Sequence, residues 1–274
     1  MTEAAAEADL AFAVALAGEA GRLLIDRYER VEQVGFKRAR DIVTEVDHLA
    51  EALILDAIRA RFPNDSILAE ETGEHAGAAG HAPSSGRGRA WVVDPIDGTI
   101  NYANGIPFFC VSIALVVEGR PVAGVVHDPV RGETFSAVAD GPACLDGQGI
   151  QASSKAQLSD YVVSLALSGL SVGRRTTAVR RAIRVPRSMG SAALALAYVG
   201  NGRFDAFVQQ SGLSTWDVAA AGLIAERAGA MVTDLSGGRW FDVGAKLRSM
   251  AVLAAPPGHH GQLLDLIRGE VRRA

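Results

Sequence analysis

The stretch Trp91-Val-Val-Asp94-Pro95-Ile96-Asp97-Gly98-Thr99 decides how this chain reads. An apolar, β-prone run ends on a carboxylate, Pro95 keeps Asp94 extended, and Asp97-Gly98-Thr99 then turns toward a helix start. Two acids therefore sit at a strand end beside the N–H groups that open a helix. Such amides suit phosphate, and oxygen-only ligands suit a hard cation such as Mg²⁺. An ordinary Asp-Gly turn after a proline would look the same in isolation, so the neighbouring segments have to decide.

Working outward, Glu70-Glu71 follows directly on Ile67-Leu68-Ala69, a second strand end that carries acids. Ligands of layered α/β proteins gather outside the carboxyl ends of strands, so Glu70 and Asp94 are expected to converge, with Glu71 a solvated loop acid. Thr44-Glu-Val-Asp47 and Ser214-Thr-Trp216-Asp217 each precede an apolar helix and fit a capping box, which alone would account for both acids. Asp217 asks for more. The helix at 218–224 is apolar on every side, and a carboxylate at its buried start needs a cation or several donors.

The resulting constellation is Asp47, Glu70, Asp94, Asp97 and Asp217, with Thr99 as a hydroxyl beside the turn. It contains no His or Cys, which argues against zinc and for Mg²⁺, Mn²⁺ or Ca²⁺. Gathering that much negative charge without a cation is unfavourable.

Around these motifs, periodicity predicts amphipathic helices at 6–30 and after Thr44, the latter with Leu49, Leu53, Ala57 and Ile58 as its apolar face. Strands are expected at Ser66–Ala69, 90–93, 109–117 and 122–126. In the second half the pattern gives strands at 161–165, 204–208 and near Met231 and Met250, with helices at 191–199, 218–228 and from His260. Interleaved strands and helices favour a layered α/β or α+β fold. A Gly-rich polar stretch suggests a boundary near residue 145, with 1–145 carrying most of the acids and 146–274 carrying Asp217. The segment 73–89 leaves Glu70-Glu71 and returns into the strand ending at Asp94, so it is expected to be a mobile loop near the site.

Composition excludes several classes. The chain has 274 residues, 49% hydrophobic and 21% charged, which is ample for a buried core and unlike a disordered polymer. A net charge of −4 gives no general attraction to nucleic acid. Cys110 and Cys144 cannot make a disulfide scaffold, and Glu3, Glu7, Asp9 and Glu19 interrupt what would have to be a signal peptide's apolar core. No apolar run reaches the roughly 18–20 residues that span a bilayer. A soluble, cytoplasmic protein with no membrane or nucleic-acid partner is expected.

Taken in order, Asp41-Ile-Val-Thr44-Glu-Val-Asp47, Leu68-Ala-Glu70-Glu71, Asp94-Pro-Ile-Asp97-Gly-Thr99, Gly190-Ser191-Ala192-Ala and Trp216-Asp217 closely resemble the inositol monophosphatase family of Mg²⁺-dependent, lithium-sensitive phosphatases. The resemblance implies an α+β fold, a layered αβαβα sandwich like that of fructose-1,6-bisphosphatase. It implies two or three Mg²⁺ held by Glu70, Asp94, the carbonyl of Ile96, Asp97 and Asp217, with Asp47 acting through water and Glu70, Thr99 and Asp47 as the catalytic group. Substrate contacts carried over by the resemblance are Asp97, Gly98, Thr99, Ser191, Ala192, Gln209, Gln210 and Asp217, and Lys37 adds charge near the phosphate. The implied protein is a homodimer whose metal-activated water attacks a small-molecule phosphate monoester with no covalent intermediate.

Inositol-type or related cyclitol and sugar monophosphates are the substrates expected first. Fructose 1,6-bisphosphate, histidinol phosphate and phosphoadenosine phosphate remain alternatives, as does a regulatory protein that keeps the fold without turnover. Where inositol-selective members carry a Glu shortly before Trp-Asp, this chain has Gln209-Gln210, an amide whichever of the two aligns. Other phosphatase classes fit less well. Asp94 and Asp97 are three apart where a haloacid dehalogenase needs Asp-x-Asp, and neither a P-loop nor a Gly-x-Ser-x-Gly elbow is present.

Overall fold

The computed structural model describes residues 2–29, 34–38, 41–167 and 173–269. In chain order its elements are α1 (Glu3–Arg27), β1 (Val34–Arg38), β2 (Asp41–Thr44), α2 (Glu45–Arg61), β3 (Ser66–Ala69), β4 (Gly73–His75), β5 (Arg89–Asp97), α3 (Thr99–Ala103), β6 (Cys110–Val117), β7 (Arg120–Asp128), β8 (Glu133–Val138), β9 (Ala143–Leu145) and β10 (Gln148–Gly149). The second half adds β11 (Val162–Ala166), α4 (Gly173–Ala182), β12 (Val185–Arg187), α5 (Ala192–Gly200), β13 (Ala206–Leu213), α6 (Thr215–Arg227), β14 (Met231–Thr233), β15 (Met250–Ala255) and α7 (Pro257–Arg268). An eight-stranded sheet runs β10-β9-β8-β7-β6-β5-β3-β4, a five-stranded sheet runs β12-β11-β13-β15-β14, and β1 pairs β2 separately.

The layering follows from side-chain alternation along buried strands. On β5, Trp91 and Val93 face α1 and α2 together with Ile113 and Val125, while Ala90 and Val92 face the other way. That second face packs on α5 and α6, whose surfaces are apolar nearly all round, and these helices also carry the inner face of the second sheet through Phe207, Val252 and Ala254. The second sheet's outer residues, Val163, Val208 and Leu253 among them, meet α4 and α7 through Val179 and Leu263. The order is thus helix, sheet, helix, sheet, helix, the expected αβαβα sandwich. Both sheets mix parallel and antiparallel pairs.

Each strand and helix expected from the pattern is present, with shifted ends; α7, for instance, starts at Pro257 rather than His260. Two expectations are corrected. The apolar face of α2 matches Leu49, Leu53, Ala57 and Ile58 only in part: Ile58 is buried, and Leu53 and Ala57 pack against the core from its edge. Its buried stripe is Val46, Asp47, Ala50, Glu51, Ile54, Leu55 and Ile58, and Leu49 is exposed. Two carboxylates lie on that stripe, which is why a search for apolar spacing misplaced it. Nor does 73–89 border the acids. Gly73, at φ +78°, closes a three-residue loop and lets β4 fold back antiparallel on β3, pairing His75 with Ile67. The chain then reaches the opposite end of the sheet, where Ala78 donates to the Pro63 carbonyl at 3.0 Å. Gly77 lies against the Asn64 and Asp65 carbonyls so closely that a Cβ would overlap them. This places the loop at the end of the sheet opposite Glu70 and Asp94 and rules out the site-bordering reading.

Candidate active site

Register brings the first acids together. β3 and β5 are parallel with Ala69 opposite Val93, and the Glu70 amide donates to the Val93 carbonyl at 3.1 Å, so Glu70 leaves its strand beside Asp94. A hydrogen bond joins the Glu70 and Asp94 carboxyl groups. Asp94 also accepts from the Ile96 amide at 3.1 Å, a closed turn consistent with the Pro95 between them. Opposite Asp94 on β6 stands Ser112, whose hydroxyl donates to the Trp216 carbonyl at 3.2 Å. That bond ties the start of α6, and with it Asp217, to the first sheet.

Asp94, Asp97 and Asp217 each offer an oxygen within 4.8 Å of the others, drawn from β5 and α6. Two of them are held by helix starts. Asp97 accepts from the Ser191 hydroxyl and from the Ala193 amide at 2.7 Å, and so lies on the N-terminus of α5. Asp217 accepts from the Ser214 amide at 2.7 Å, completing the capping box of α6. The expected caps are real, and they leave a further oxygen on each carboxylate for another partner.

Electrostatics sets this cluster apart from an ordinary surface patch. Burial, followed by the charges of Glu70, Asp97 and Asp217, pushes Asp94 well above the usual carboxylate range. Burial also raises Asp97, against the pull of the Ser191 hydroxyl and the amides of Ala193, Ala192 and Leu194. Asp217 is raised by burial and then by Asp97, with Arg248 pulling the other way. Buried carboxylates that repel one another call for a cation, and a donor set made only of oxygen fits a hard divalent one.

Asp47 stands one contact back. It is buried in α2, where Oδ2 accepts from the Thr44 amide and hydroxyl, both at 2.7 Å, while Oδ1 accepts from the Thr99 hydroxyl at 3.0 Å. Thr99 opens α3 after Gly98, whose φ of +103° favours glycine and where a Cβ would press tightly on Phe108, Phe109 and Ser191. The cavity over the acids has a volume of ≈ 550 Å³ and is lined by Glu70, Asp94, Ile96, Asp97, Gly98, Thr99, Ser191, Ala192, Gln209 and Asp217, among others. Gln209 thus borders the cavity. Gln210, the other residue expected there, is not among the lining residues, as strand alternation along β13 requires. The side chain of Lys37 lies outside the described residues.

Sequence reasoning missed two residues. Arg248 lines the cavity from a left-handed backbone, φ +58°, pinned where its amide donates to Ser214 Oγ at 3.2 Å and its carbonyl accepts from Gly212 at 3.0 Å. No motif marks it. Glu51 is buried on α2 and accepts from the turn after Glu70; its signal was an acid four residues after Asp47, on the same helical face.

A layered αβαβα fold with an oxygen-only acidic centre at its strand ends defines a phosphatase-type architecture, of the kind shared by inositol monophosphatases and fructose-1,6-bisphosphatases. The chain belongs to the inositol monophosphatase family, whose sequence profile matches residues 6–272. It is 40% identical over 229 residues, 83% of this chain and 85% of the relative, to a fructose-1,6-bisphosphatase/inositol-1-monophosphatase of Thermotoga maritima. It is 37% identical over 237 residues, 84% of this chain and 86% of the relative, to the Nus factor SuhB of Escherichia coli (strain K12). Among solved structures it resembles the extragenic suppressor protein SuhB of Bartonella henselae, with a TM-score of 0.87, 32% identity and coverage of 96% and 100%. The family is generally metal-dependent and points to phosphatase chemistry. No helix among the described residues is long and apolar enough to cross a membrane.

Proposed function

We propose that this chain is a Mg²⁺-dependent phosphate monoesterase acting on inositol-type or related cyclitol and sugar monophosphates. The observation that carries the reading is the approach of Asp94, Asp97 and Asp217 to within 4.8 Å on the floor of a cavity that also holds Glu70 and Thr99. Asp94, Asp97 and Asp217, with Glu70 and the Ile96 carbonyl, would hold two or three ions. When bound, the cation neutralises the acids, polarises the phosphate and makes a water more acidic.

The chain's own groups supply the rest. Because the Thr99 hydroxyl donates to Asp47, its oxygen keeps lone pairs with which to accept a hydrogen bond from the attacking water. Glu70 accepts the water's other hydrogen and takes that proton as the water oxygen bonds to phosphorus; the P–O bond to the alcohol breaks, and the alcohol leaves with its electrons and takes up a proton from solvent. The Gly98 and Thr99 amides at the start of α3 hold phosphate oxygens. Ser191, Ala192 and Gln209 border the space left for the alcohol, and Asp217 accepts from one of its hydroxyls. In this division the half to residue 145 carries the attack and the half from 146 carries the substrate's alcohol. Phosphate release, screened with and without Mg²⁺ over cyclitol, sugar, histidinol and phosphoadenosine phosphates, tests the reading. Cation-dependent turnover with a cyclitol or sugar monophosphate preferred is the expected result; turnover indifferent to chelator would refute it.

A second reading is a regulatory protein that has kept the fold, favoured by relatives named Nus factor SuhB. Retention of every expected acid supports the catalytic reading over it. Lithium inhibition and a homodimer are further expectations of the family resemblance, checked by inhibition assay and light scattering. Two free thiols, Cys110 and Cys144, support a reducing, cytoplasmic setting.

A further inference from the structure

We propose that Glu51 is a positioning residue of the acidic centre, acting on it through Glu70. Glu51 is only 1% exposed, a costly placement for a charge unless donors compensate. The donors are two consecutive amides of one turn: Glu71 donates to Oε2 at 2.8 Å and Thr72 donates to Oε1 at 2.9 Å. Both belong to the three-residue loop between β3 and β4 whose first residue is Glu70. Amides inside such a loop have no ladder partner, so without Glu51 they would turn to water and the loop would be free to rock.

Glu70 is therefore gripped from both sides. Its own amide is fixed by the Val93 carbonyl at 3.1 Å, and the two residues after it are fixed by Glu51. The grip is tied to the rest of the centre by a rigid element, because Asp47 and Glu51 lie four residues apart on the buried stripe of α2. Asp47 holds the Thr99 hydroxyl at 3.0 Å while Glu51 holds the turn that aims Glu70. One helix thus sets the spacing of the two groups assigned to the attacking water. An acid that only balanced two amides would stabilise the hairpin and leave the centre indifferent to it. Here the loop it holds is the one that delivers a carboxylate to Asp94.

This inference rests on the metal-dependent reading of the centre, and its test separates the two. The full chain is prepared metal-free as wild type, Glu51→Gln, Glu70→Gln and the double variant, with Asp65→Asn as a control that loosens the Arg89 and Trp91 side chains at the far end of the same sheet. Mg²⁺ affinity is measured by calorimetry, and amide hydrogen exchange is followed at Glu71 and Thr72 in the absence of metal. Glu51→Gln keeps the shape but turns one acceptor into a donor facing a donor. It should speed exchange of those two amides and weaken Mg²⁺ binding tenfold or more, the scale of an outer-shell loss. In the Glu70→Gln background the same change should weaken it less than twofold, since the group it positions is gone. Asp65→Asn should leave the affinity unchanged. Equal losses in both backgrounds, or faster exchange with unchanged affinity, would overturn the proposal while leaving the metal reading intact. A wild-type chain that bound no divalent cation would overturn both.

Discussion

Replacing Asp94 by Asn should stabilise the metal-free protein while removing its response to Mg²⁺ and its turnover. Three carboxylates with oxygens within 4.8 Å of one another repel, when all are charged, by about 3.5 kcal/mol per pair at an effective dielectric constant of about 20. The substitution deletes two of the three pairs, about 7 kcal/mol in all. Proton uptake already relieves most of this in the metal-free wild type, so a net gain of roughly 2 kcal/mol is expected, or about 4–8 °C in melting temperature for a chain of this size. Little is lost in exchange, because the Asn side-chain oxygen can still accept from the Ile96 amide. Calorimetric melting of wild type and Asp94→Asn, each with chelator and with saturating Mg²⁺, makes the comparison. In the wild type Mg²⁺ should raise the melting temperature, and in the variant the shift should vanish along with phosphate release. A metal-free variant that melts below wild type and still shifts with Mg²⁺ would refute the electrostatic account of the site.

The same gain should depend on pH. Carboxyls in the unfolded chain titrate near pH 4 at about their ordinary value, whereas burial, joined at Asp94 and Asp217 by repulsion from neighbouring acids, holds Asp94, Asp97 and Asp217 higher when folded, so the folded state keeps protons that the unfolded state has lost. Their destabilisation is absent below the unfolded value, grows as pH rises and is complete above the folded values, so the difference in melting temperature between Asp94→Asn and wild type, both metal-free, should widen from pH 5 to pH 8. Taking the difference cancels the opposite contribution of His127 and His260, whose pKa burial lowers, and a gap that narrows with rising pH would contradict the scheme. Thr99→Ala, by removing the hydroxyl that links Asp47 to the cavity, should lower kcat about 10²-fold or more with little change in KM, and Thr99→Ser should restore most of it. Gln209→Glu should favour an amine-bearing substrate such as histidinol phosphate by one charge-assisted bond, about 1.5–3 kcal/mol or one to two decades in kcat/KM, while Gln210→Glu should leave the ranking unchanged.

What could be read in advance follows from how local each determinant is. The strand that ends in Asp94-Pro-Ile-Asp97-Gly98 announces itself, since an apolar run, a proline and a glycine that must adopt φ +103° all act within nine residues. The capping acids Asp47 and Asp217 were legible for the same reason, each being set three residues after its Thr or Ser. The route of 73–89 was not, because whether the chain advances past Glu70 or folds back depends on the left-handed turn at Gly73 and on backbone packing of Gly77, neither visible as hydrophobic period. Glu51 was hidden by the pattern itself, an acid occupying a core position whose donors lie twenty residues on. Arg248 needed the tertiary fold outright, since contacts with Gly212 and Ser214, more than thirty residues away, bring it to the cavity.

The attachment of Asp97 to the start of α5, and of Asp217 to the start of α6, has a consequence for the order of assembly. These helices pack on the first sheet, so Asp217 meets Asp94 and Asp97 only once α6 has docked on that sheet. A nascent or half-folded chain exposes its acids singly, where each remains an ordinary carboxylate with weak hold on any ion. The repulsion among all three arises only with that docking. Under the proposed function, a cation that binds the assembled centre would stabilise the folded state over states in which α6 is undocked.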